Sequence, residues 1–114
     1  MKYFIAASLL TLTSFCYASS SNSNDGGSNN SGETLYPTYC VSCHGVKGHG
    51  DGIAGQALAE APSNIYQGLN SFFESEAELV DTVLTGNEGM PAWKGVLTKQ
   101  QVIEIFDYIQ SINN

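Results

Sequence analysis

Two thiols and an imidazole stand within five consecutive residues, Cys40-Val41-Ser42-Cys43-His44. Cys-x-x-Cys-His is the attachment pattern of a c-type haem. Thiols three residues apart project from one helical turn and reach the two vinyl groups on one side of a porphyrin. The His that follows then turns an imidazole nitrogen toward the iron. Other chemistries for such a pair fit less well. A structural zinc ion wants four protein ligands, usually two such pairs, and His49 is the only other His here. A thioredoxin-like redox pair opens a helix in a βαβ setting, whereas this chain has no strand-rich pattern. A plain disulfide across this tight spacing is the remaining alternative. An export signal, a module otherwise free of Cys and the adjacent His together favour haem.

The elements that position these residues occupy only part of the 114-residue chain. Met1–Lys2 is a basic start, Tyr3–Phe15 is apolar, and Cys16-Tyr17-Ala18 places small residues before a cut after Ala18. That is the layout of a secretory signal peptide, residues 1–18, and it is too short for a membrane span of about 20 residues. Cys16 offers a second outcome, lipidation as the new N-terminus, although Phe15 is large for the residue before a lipidated Cys. Residues 19–32 are Ser, Asn, Gly and one Asp. Lacking apolar side chains, they read as a flexible tether with a reach of about 20 Å. The folded domain is then 33–114, a size at which a thin core needs a staple, metal or cofactor.

Charge excludes one class of partner. Beyond the leader, Lys47, Lys94 and Lys99 stand against eleven acids, with no Arg. Nucleic acid, which demands a basic face, is excluded as a partner. The surface suits solubility or a basic docking surface on a partner. Helices are predicted throughout. The first covers about Thr34–Cys43 and starts late because Pro37 fits only a first turn. Five glycines between Gly45 and Gly55 allow tight backbone turns. Ser75-Glu76-Ala77-Glu78 is a capping box opening a helix over Glu76–Thr85, stopped by Gly86. Thr98-Lys99-Gln100-Gln101 is another, and Val102, Ile105, Phe106, Ile109 and Ile112 recur at helical steps behind it.

Taken together, Gly32-Glu33-Thr34-Leu35-Tyr36 ahead of Cys40–Gly45, the Gly-rich loop, and Gly89-Met90-Pro91-Ala92-Trp93 before a final helix resemble the class I monohaem cytochrome c family. The likeness spans Gly32 to Ile112. It implies an all-α fold, a small bundle of three or four helices wrapped around one covalent haem c, with the last helix crossing the first. Leu35 or Tyr36 would then meet Phe106 or Ile109. It also places the distal iron ligand at Met90. The residues agree: Met90 is the only methionine beyond the leader, and Pro91 stiffens the loop that presents it. The metal ligands would be His44 and Met90. His49, five residues past His44, is too close in sequence to reach the opposite face and reads as an exposed loop residue.

Further roles follow from the same resemblance. Pro62 lies where a prolyl carbonyl would accept the proximal imidazole N–H. Trp93, with Phe72 and Phe73, would line the haem, core packing explaining Phe72 and Phe73 equally well, and Trp93 would also offer its indole N–H to a propionate. Without arginine, Lys94, Asn64 or backbone donors are the other propionate partners. The implied function is electron transfer, not enzymatic catalysis: one-electron shuttling between redox protein donors and acceptors in the periplasm or on the outer membrane face. Membrane association would come through a lipidated Cys16 or a partner complex. A haem-bearing subunit or sensor of a larger membrane complex is the alternative. A peroxidase-like enzyme is a weaker one, with His49 as its distal group.

Overall fold

The computed structural model describes residues 31–114. The signal peptide over 1–18, Cys16 and all but the last two residues of the 19–32 tether lie outside the described residues. Five α-helices follow in order: α1 (Gly32–Tyr39), α2 (Val41–His44), α3 (Ile65–Leu69), α4 (Glu76–Thr85) and α5 (Lys99–Ser111), with a 3-10 turn at Gly55–Ala57. Among the described residues there is no strand, and the all-α class is as expected.

The two capped helices begin where their capping boxes place them. Ser75 accepts from the Glu78 amide while Glu78 accepts from the Ser75 amide, and Thr98 and Gln101 do the same. Each box satisfies two amides that a helix start leaves without partners. In α5, Val102, Ile105, Phe106 and Ile109 form one buried face. They meet Leu35 and Tyr36 of α1, and with Val80 and Leu97 they make up the buried hydrophobic core. The first and last helices are thus the main packed pair.

The first helix departs from expectation. It starts at Gly32 rather than Thr34, and Pro37 lies inside it. The proline is tolerated because its missing N–H deprives only the carbonyl of Glu33, and both residues face water. The chain then breaks at Cys40 (φ −121°, ψ −37°) before α2 resumes. Gly32, assigned to the tether by composition, is buried. A Cβ there would run into the Glu104 carbonyl of α5. The correction has a physical reason: this glycine lets two helix backbones touch, a demand that composition does not register.

Candidate functional site

Cys40 and α2 act as one turn. The Cys40 carbonyl accepts from both the Cys43 amide (3.2 Å) and the His44 amide (2.9 Å). Cys40, Cys43 and His44 consequently line a single cavity of about 580 Å³. Leu58, Ala61 and Pro62 add a wall from the segment after the 3-10 turn, and Met90, Pro91 and Trp93 add another from the loop after α4. The size falls in the range of small-molecule and cofactor sites.

His44 is 7% exposed, and its Nδ1 lies 3.0 Å from the Ser63 carbonyl oxygen. A carbonyl only accepts, so Nδ1 carries the hydrogen and Nε2 keeps its lone pair for a metal. Burial pushes the imidazole below its ordinary pKa, the Ser63 bond opposing in part; the ring is held in the neutral, ligating form. The acceptor is Ser63, not Pro62, one residue earlier. Pro62 packs instead on the glycine loop, where a Cβ on Gly55 would strike its ring.

The glycine loop earns its composition at Gly50. Its φ is +81°, a Cβ there would collide with the Pro62 carbonyl, and its amide donates to the His44 carbonyl at 2.8 Å. Close approach and a left-handed backbone together require glycine here.

Cys40 and Cys43 are unbridged thiols. Burial, and then the neighbouring Cys43, push the Cys40 thiol up to about 12. Reactive redox cysteines have depressed values, so Cys40 is not an activated thiol. Among the described residues no three His, Cys, Asp or Glu side chains gather as a metal cage. Two thiols, a neutral imidazole and a thioether thus line one largely apolar cavity, an arrangement that a covalently bound haem would fit.

Met90 is held by a side chain that the sequence reading passed over. Asn87 Oδ1 accepts from the amides of Gly89 (3.2 Å) and Met90 (3.1 Å), and the Asn87 amide donates to the Met90 carbonyl at 3.0 Å. This is an Asx-type turn, legible in principle from Asn87-Glu88-Gly89. Trp93 lines the cavity and stacks obliquely on Tyr39, ring centroids 5.3 Å apart. Phe72 and Phe73 do not line it; they are exposed. Asn64 caps α3 by accepting from the Gln67 amide, and no lysine lines the cavity. His49 is exposed and bonds Asn113 at 2.9 Å (Nε2 to Oδ1), on a separate surface groove. It is not a distal group.

A fully buried hydroxyl ties this site to the core. Tyr36 Oη donates to the Gly45 carbonyl, immediately after His44, at 2.6 Å. Tyr36→Phe keeps the ring and removes that donor. The expected cost is about 1–2 kcal/mol, read from denaturant unfolding of the haem-loaded protein.

The family profile described as "Cytochrome C oxidase, cbb3-type, subunit III" matches residues 27–109. Cytochrome c6 of Euglena viridis is 35% identical over 81 residues, spanning 71% of this chain and 88% of that protein. Cytochrome c6 of Euglena gracilis is 31% identical over 78 residues, 68% of this chain and 85% of its own. The cbb3-type cytochrome c oxidase subunit FixP of Bradyrhizobium diazoefficiens is 33% identical over 82 residues, which are 71% of this chain but 26% of FixP. No solved structure matches the chain.

Proposed function

Since this chain belongs to the class I monohaem cytochrome c family and carries one covalently bound haem c in an electron-transfer role, we propose that Cys40 and Cys43 form its two thioether links and that His44 and Met90 are its axial ligands. The observation that carries this is the shared cavity: all four side chains line it, together with Pro62 and Trp93. When bound, the haem supplies a one-electron couple. The protein does the rest. Ser63 fixes the ring of His44 through Nδ1, which leaves Nε2 for the iron. Met90 presents a thioether, a weaker donor to ferric iron than imidazole, and so favours the reduced state. Leu58, Pro62 and Trp93 give the cavity apolar walls.

The partners in this reading are redox proteins outside the cytoplasm, met through a small transient interface. Export rests on the leader at 1–18; no helix among the described residues is long and apolar enough to cross a membrane. The purified protein should give a low-spin reduced spectrum and, when oxidised, the weak far-red band of sulfur ligation. A high-spin ferric spectrum would sink the His/Met assignment. The mass of the mature protein checks haem attachment, cleavage after Ala18 and any lipid on Cys16 together.

The similarity to FixP supports a second reading, a haem-bearing subunit of a larger membrane complex. Affinity capture of the tagged protein from membranes separates the two: a stable set of co-purifying subunits favours the complex, and a protein recovered alone favours the shuttle.

A further inference from the structure

Phe72 and Phe73 are 96% and 91% exposed, packed edge to face with centroids 5.8 Å apart. They sit at the corner between α3 and α4. Beside it α3 packs on α5, with Asn70 donating to Gln110, and neither phenylalanine lines the cavity. A small protein with a thin core gains by burying two adjacent phenylalanines. Leaving both in water has a cost that a binding surface explains.

Charge indicates what covers them. Between Lys47 and Lys94 the chain has carboxylates at 51, 60, 74, 76, 78, 81 and 88 and no lysine or arginine. Glu74 directly follows the pair and Glu76 and Glu78 open α4 just after it, and all three are exposed. Glu78 is kept ionised because the Ser75 amide and hydroxyl both donate to it, which lowers its pKa. Another exposed apolar pair, Val46 and Ile53, borders Lys47 as well as Asp51 and so carries no single sign.

We infer that Phe72 and Phe73, rimmed by Glu74, Glu76 and Glu78, form a docking surface for a protein that offers an apolar recess ringed by Lys and Arg. The aromatic pair supplies the buried anchor, and the carboxylates steer the encounter and set its orientation. The inference concerns this surface alone and does not depend on which residues ligate the iron.

The test uses the haem-loaded full chain, isotopically labelled, and two amphipathic peptides as probes, one built from Lys and Leu and its counterpart from Glu and Leu. The Lys/Leu peptide should perturb amides across residues 71–81, and the Glu/Leu peptide should perturb none. Replacing both phenylalanines (Phe72→Ser with Phe73→Ser) should weaken binding at least about tenfold. Glu74→Lys with Glu76→Lys should reverse the preference between peptides. Salt at about 1 M, where charges are screened beyond about 3 Å, should weaken what remains. Three results would overturn the inference: perturbations centred on Val46 and Ile53, an affinity unchanged by the serine replacements, or through-space contacts between the Phe72 or Phe73 ring and porphyrin protons.

Discussion

Replacing both Cys40 and Cys43 by alanine is expected to yield a chain with no covalently attached haem and with most of its cooperative unfolding lost. The core explains the size of the effect. Its buried hydrophobic members are Leu35, Tyr36, Val80, Leu97, Val102, Ile105, Phe106 and Ile109, nearly all at the meeting of α1 and α5. The remaining segments, α2, the run through Pro62 and the loop carrying Met90, surround a cavity of about 580 Å³. Without a group filling it, the apolar walls of that cavity face water and lose burial worth about 25 cal/mol per Å² of apolar surface. The whole stability of a small domain is about 5–15 kcal/mol. A fold with so little interior of its own needs the porphyrin held in place. The checks are intact mass, extraction of haem by acidified organic solvent, and far-ultraviolet dichroism of the variant. Each single replacement should keep one link and show an intermediate loss. A double variant that unfolds like the parent would contradict the account.

How much of this was legible beforehand depended on the range of the forces involved. Helices α4 and α5 were readable because their capping boxes and apolar spacing are local signals, satisfied within a few residues. Cys40, Cys43 and His44 stand out because covalent attachment of a haem would dictate their spacing, and the fold turns all three toward one cavity. The start of α1 was not. Pro37 suggests a late beginning, yet the contact of Gly32 with the Glu104 carbonyl extends the helix over the residues before it, and that contact joins positions far apart in the chain. The carbonyl on His44 was placed at Pro62 and lies at Ser63, a one-residue offset set by how Gly50 and the Pro62 peptide pack. Phe72 and Phe73 were read as haem-lining or core side chains because aromatic residues usually are buried. Their exposure follows from the turn between α3 and α4, where the Phe73 amide donates to Ser71 Oγ at 3.1 Å. Asn87 escaped notice because its role is to shape backbone around Met90, and hydrophobic pattern does not report that.

Met90→Ala should have the second large effect, and it isolates the distal ligand. The loop that presents Met90 is built from its own backbone: Gly86 turns with φ +73°, a Cβ on it would crowd the Met90 carbonyl and Ala92 amide, and Asn87 gathers the Gly89 and Met90 amides. None of these contacts uses the methionine side chain, so its removal should spare the loop and the covalent attachment. What changes is the iron's electronics. The far-red sulfur band of the oxidised protein should vanish, and the ferric state should turn high-spin or bind added imidazole. The reduction potential should fall by an appreciable part of the roughly 0.8 V over which axial ligands tune haem. Met90→His should restore the low-spin state while leaving the potential low, because imidazole stabilises ferric iron better than a thioether does. His49 cannot substitute without abandoning its bond to Asn113 and crossing from another groove. An unaltered spectrum and potential in Met90→Ala would therefore mean that some other residue closes the coordination, and the cavity would have to be reread around it.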